Sequence, residues 1–238
     1  YCALGYGTHA LLDSCTTYGT QLLWPFSSER IAWNNVSIVD PLFTLPILSF
    51  VIMGISRKKI WLGRIAFLWA ICYLFLGVLQ RDRAIEAGYE MAEKRGHKPI
   101  RLEAKAGFAN LLLWKTVYET DKHFFVDGVR VGLQTKFFQG ASAKKLNLEK
   151  HFVWLRSSGQ QAKDIERFRW FSNGYLALDP NVPNRIIDVR YSVVPNEIEA
   201  LWAIDLDPSK PDNAHINWIA LRSTNSEQTK RWWEMLIK

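Results

Sequence analysis

The sequence predicts an α-helical membrane part, made of an upstream helix and a transmembrane hairpin, followed by a soluble α+β domain rich in strands. Three observations carry this reading. The long apolar runs fall before residue 80, charge dominates afterwards, and beyond Pro99 the hydrophobic pattern switches from helical runs to short alternating stretches. A mean hydropathy of -0.09 hides this split. The boundary is placed between residues 1–96 and 97–238.

Residues 5–24 read as a helix, opened by Gly5 and Gly7 and closed at Trp24-Pro25, because proline disfavours the helical region in the residue before it. Residues 25–37 are polar and turn-rich, so they form a loop. From Pro41 to Ile55 no residue is charged, and Asp40-Pro41 suits a helix start, with the carboxylate at the N-cap and proline in the first turn. Pro46 is expected to kink that helix. After the turn Arg57-Lys58-Lys59 comes a second run, residues 60–79, interrupted only by Arg64 near one end. Over residues 65–79 its apolarity extends nearly unbroken round the whole circumference, unlike a soluble helix with a polar face. The two runs together form the expected hairpin; a buried helical hairpin in a soluble protein is the alternative. Basic residues in the connecting turn mark the cytoplasmic side, which places everything after residue 80 on the opposite side.

Residues 81–96 are strongly helical, with Glu90 four residues before Lys94 and Gly96 as the stop signal. Strands are expected within 111–120, 123–134, 167–179, 186–194 and 200–207, with Asp127-Gly128 as a hairpin turn. Helices are expected over 146–168 and, as a short amphipathic C-terminal element, over 226–237.

A formal net charge of +7 raises the question of nucleic acid. The Lys and Arg residues are scattered rather than striped, so no nucleic-acid partner is expected; the expected partner is a lipid bilayer. The three cysteines, Cys2, Cys15 and Cys72, form no metal-ribbon or disulfide spacing. The chain opens at Tyr1 without a charged and then apolar leader, which reads as a fragment whose N-terminal part is missing.

The sharpest chemical pattern is His9-Ala-Leu-Leu-Asp13. Positions i and i+4 share one face of a helix, so an imidazole and a carboxylate can hold one metal ion, or simply each other. Asp40 is a second candidate, as a further ligand or general base, or as a plain N-cap. Thr16, Thr17 and Tyr18 are placed to orient ligands or bind phosphate. His97, His123, His151 and His215 stand without a second ligand at metal spacing and read as surface residues.

The run from His9 and Asp13 through Ser14, Thr16-Thr17-Tyr18-Gly19-Thr20-Gln21-Leu22 and Trp24-Pro25-Phe26-Ser27, followed by Val39-Asp40-Pro41-Leu42-Phe43-Thr44, resembles the YdjM-type inner-membrane metal-dependent hydrolases of bacteria. The resemblance is dense and colinear over residues 8–46. It implies a multi-pass bacterial inner-membrane protein, distantly similar to zinc-dependent phospholipase C and P1-type nucleases. It also implies that His9 and Asp13 ligate a divalent metal, zinc being the expected ion, with an upstream His-x-x-Thr-His-type segment supplying further ligands. That segment is not in this sequence, and two ligands do not close a four-coordinate site.

Two functions follow as expectations. The first is a membrane-bound metal-dependent hydrolase acting on an ester or phosphoester near the bilayer, with Asp40 as its catalytic carboxylate. The second is a non-enzymatic envelope protein whose membrane part anchors a ligand- or partner-binding β-rich domain. A regulator that binds a repressor protein is a third, weaker alternative.

Overall fold

The computed structural model describes residues 2–221 and 224–237, and the chain divides into two compact units. The first is Tyr1–Ala87 with Ala104–Trp114 and Arg130–Lys136; the second is Gly88–Glu103 with Lys115–Val129 and Phe137–Lys238.

In the first unit, helix α1 spans Cys2–Ser14, α2 spans Pro41–Ser56 and α3 begins at Ile60. The start of α2 is as expected. Asp40 is extended and its side chain accepts the amides of Leu42 and Phe43, two of the donors a helix N-terminus leaves unpaired. The apolar run and the charged helix after it are one continuous helix, α3, Ile60–Lys94. Nothing in the sequence between Leu79 and Arg81 breaks it, and the change from apolar to charged residues alters only what the helix faces. Lys94 follows Glu90 at 3.8 Å, and Gly96 turns the chain with φ +70. At 35 residues α3 is the one helix, among the described residues, long and apolar enough to cross a membrane. The α2 helix is apolar but, at 16 residues, shorter than a span of about 20 residues.

The buried stripe of α3 runs through Leu62, Ala66, Tyr73, Gly77 and Gln80, at helical spacing. A Cβ added at Gly77 would collide with the Asn35 carbonyl, so glycine is required for that approach. Around this stripe, Phe67, Leu68, Ile71 and Phe75 are exposed. Gln80 gives the stripe a polar anchor: its amide donates to the carbonyls of Leu111 (3.2 Å) and Val131 (2.7 Å).

The strands form two sheets. The first has the order β1 (Arg101–Ala106), β2 (Leu113–Glu119), β3 (His123–Val131), β4 (Thr135–Phe138), with β5 (Ser142–Lys144) antiparallel to β3. The second is the antiparallel meander β6 (Leu176–Leu178), β7 (Arg185–Asp188), β8 (Trp202–Asp205), β9 (Asn217–Ala220). In the second unit, one core joins Val117, Phe124 and Val126 to Tyr175, Ala177, Ile187 and Ala203, all essentially inaccessible. Another packs helix α5, Gln160–Phe171, through Ile165 and Phe168 onto Leu176, Ile186 and Ile204. A short helix α4 spans Leu148–His151, and α6, Ser226–Ile237, falls where the amphipathic C-terminal helix is expected.

Four expectations are corrected. The first helix ends at Ser14 rather than at Trp24. Ser14 Oγ and Thr16 Oγ1 donate back to the carbonyls of Ala10 (2.8 Å) and Asp13 (2.7 Å), and the chain then turns through Gly19 at φ +82. Asp127-Gly128 is not a hairpin turn, because β3 runs straight through it. Asp127 is held by Arg95, at 2.7 Å to each carboxylate oxygen, and by the Gly140 amide at 2.8 Å. The helix expected over 146–168 is two helices parted by turns at Ser157-Ser158-Gly159. Residues 167–171, expected as the start of a strand, are the last residues of α5. Their alternation reflects Phe168 entering the core while Arg167 and Arg169 stay outside it.

Candidate metal centre

Helix α1 brings His9 and Asp13 one turn apart, with Nε2 at 3.4 Å from Oδ2 and side chains 70% and 46% exposed. An ion bonded at about 2.1 Å to each of two atoms so spaced subtends about 108°, close to a tetrahedral angle. The pair therefore fits as two members of a zinc ligand set. Among the described residues, no group of three or more His, Cys, Asp or Glu side chains converges on one point. The spacing equally suits an i,i+4 imidazole–carboxylate pair.

The segment after α1 fixes where this helix ends. Trp33 N donates to Ser14 O (2.7 Å) and Asn35 N to Cys15 O (2.8 Å). Thr20 and Ile31 form an antiparallel bridge, and Arg30 donates to the carbonyls of Tyr18 (2.6 Å) and Gly19 (3.2 Å). Thr16 spends its hydroxyl on Asp13's own carbonyl, and Thr17 is buried.

Asp40 is nearly inaccessible, at 4% exposure. Oδ1 accepts the two amides of the α2 cap at 3.1 and 3.2 Å, and Oδ2 accepts from Tyr73 Oη at 2.8 Å. The Trp69 indole donates to Leu42 O at 3.2 Å, so α3 holds the first turn of α2 from two positions.

Two histidines read as solitary have partners. His215 Nδ1 lies 2.9 Å from Asp164 Oδ2, with the imidazole 73% exposed and the carboxylate 10%. Burial pushes the Asp164 carboxyl up, but hydrogen bonds from Gln160, His215 and the Ile216 amide outweigh it and hold the group below the usual carboxylate range. His97 Nδ1 lies 2.9 Å from Tyr118 Oη, which also accepts from Arg95 at 3.1 Å. The separation of 51 positions between Asp164 and His215 leaves no local signal of their meeting.

No curated protein and no solved structure matches the chain. The family comparison bears on the region just described, where an apolar helix long enough for a bilayer follows the His9–Asp13 helix and the Asp40 cap: residues 1–84 match the YdjM inner membrane protein family.

Proposed function

We propose that this protein is a metal-dependent hydrolase of the inner membrane, in which α2 and α3 cross the bilayer as a hairpin and α1 contributes His9 and Asp13 to a divalent-metal site. The observation that carries this reading is the exposed donor pair at 3.4 Å on one face of α1. Bound there, zinc would lower the pKa of a water molecule and polarise an ester or phosphoester carried by a lipid or another molecule near the bilayer. His9 offers an imidazole nitrogen and Asp13 a carboxylate oxygen, donor types that zinc accepts. Further ligands come from outside the described residues. Asp40 is the proposed general base. Its Oδ2 has Tyr73 as hydrogen-bond donor, while Oδ1 is committed to the helix cap. By the positive-inside rule, the basic turn Arg57-Lys58-Lys59 supports a cytoplasmic loop between the helices, with the chain after α3 continuing on the other side of the bilayer.

A second reading is a non-enzymatic anchor for the β-rich unit, supported by that unit's own extensive core. Metal analysis of the full-length protein purified in detergent separates the two. The hydrolase reading expects stoichiometric zinc in the wild type and at least a tenfold weaker affinity in His9→Ala and in Asp13→Ala. Wild-type protein without stoichiometric metal removes the hydrolase and leaves the anchor.

A further inference from the structure

The second unit holds a buried lysine hydrogen-bonded to a serine, both far along the chain from His9 and Asp13. Strand β2 buries every one of its residues, including Lys115, which is 4% exposed. The Lys115 ammonium nitrogen lies 2.7 Å from Ser192 Oγ and 2.8 Å from the Glu197 carbonyl. Ser192 is only half-buried, in the segment after β7, where it bridges to Ala200, and its hydroxyl donates to Val194 O at 2.7 Å. A buried lysine within hydrogen-bond distance of the hydroxyl of a half-buried serine has the geometry of an amine base and an alcohol nucleophile.

We infer that Ser192 and Lys115 form a serine–lysine acyl-transfer site, taking the acyl group of a carboxylic ester. Lys115 Nζ, when neutral, accepts the Ser192 proton as the hydroxyl turns from Val194 O towards it. Oγ attacks the ester carbon, the bond from that carbon to the leaving oxygen breaks, and Nζ returns the proton to the departing alcohol. Water then attacks the acyl-serine, gives its proton to Nζ, and the acid leaves as Ser192 regains its hydrogen. The sequence of steps consumes one water and needs no oxidant, reductant or cofactor.

The electrostatics suit this. Burial pushes the Lys115 ammonium down to about 7, against the pull of the Asp188, Glu197 and Asp127 carboxylates, so a neutral amine is available near neutral pH. Each of those carboxylates has its own cation: Arg190 for Asp188, Arg231 for Glu197 and Arg95 for Asp127. Lys115 is thus not required as the counter-ion of any one of them. The Glu197 carboxyl is pushed up by burial despite Arg231.

The test is p-nitrophenyl acetate on the full-length protein in detergent, with the acetyl group located by peptide mass mapping. The site predicts acetyl on Ser192, formed at a rate that rises tenfold per pH unit below about 7 and levels off above it. Ser192→Ala removes that adduct, and folded Lys115→Met lowers its rate at least a hundredfold at pH 7.5. If Lys115→Met does not fold, the wild-type profile decides. A rate still climbing tenfold per unit between pH 7.5 and 9.5, or acetyl confined to surface lysines, overturns the inference.

Discussion

The first twenty residues of α3 and the strand β2 teach opposite lessons about hydrophobicity. The α3 segment, residues 60–79, is almost wholly apolar, yet Trp61, Phe67, Leu68 and Phe75 are 55%, 70%, 60% and 62% exposed. Strand β2 carries a lysine, a threonine and a glutamate among its seven residues, and all seven are buried. Polarity is therefore not what decides burial in this chain. With α3 in the bilayer, as proposed, its side chains find apolar surroundings in lipid and need no protein partner. The polar groups of β2 are tolerated inside because each has a partner. Lys115 has Ser192 and the Glu197 carbonyl, Thr116 has Asp127 O at 3.4 Å, and Glu119 is bound by both Arg101 and Lys145.

The largest test of this contrast pairs two phenylalanines. Phe124→Ala, at a fully buried position in the second unit, is expected to cost about 3–5 kcal/mol of that unit's stability in urea titrations monitored by tryptophan fluorescence. Phe67→Ala, on the exposed face of α3, is expected to change the same titration by less than about 0.5 kcal/mol. Equal effects would break the comparison.

A smaller effect separates β2 from an ordinary strand by pH. The folded Lys115 ammonium titrates near 7, whereas its ordinary value is 10.5. Between those values the unfolded chain binds the proton and the folded chain does not, so stability rises with pH across that window. Below about 7 both states are protonated, the dependence is flat, and the cost of burying the charge is present in full. Thermal unfolding of folded wild type and Lys115→Met, compared from pH 6 to 9.5, is expected to differ in slope by about 1 kcal/mol per pH unit above pH 7. Parallel curves would show that the buried amine does not change charge in this range.

The smallest effect lies at the edge of the apolar region. Asp40→Ala removes the α2 cap and the acceptor of the Tyr73 hydroxyl, and is expected to cost about 1–2 kcal/mol in graded SDS unfolding from mixed micelles. An unchanged midpoint would mean that the cap is dispensable.

Where the determinant is local, the fold was legible. Asp40-Pro41 announces α2, Gly96 stops α3, and the amphipathic run 226–237 is α6. The metal-site candidates were legible in the same way, since His9 and Asp13 are one helical turn apart. Where long-range partners decide, the sequence misled. Asp127-Gly128 has hairpin chemistry, but Arg95 and the Gly140 amide claim the carboxylate and keep the chain extended. The end of α1 depends on hydroxyls bonding back to carbonyls, which Ser and Thr do in only some contexts. Lys115 and Ser192 are 77 residues apart, so no spacing or motif could reveal them.

The lengths of α2 and α3 carry one further consequence. At 1.5 Å per residue, the 16 residues of α2 reach about 24 Å, whereas the apolar stretch of α3 at residues 60–79 reaches about 30 Å. With both helices in the bilayer, as proposed, the lipid beside α2 must thin by several ångströms while that beside α3 need not. Such a lopsided hydrophobic mismatch would make the protein favour thin or short-chain bilayers, and would turn membrane thickness into a variable that its stability reads.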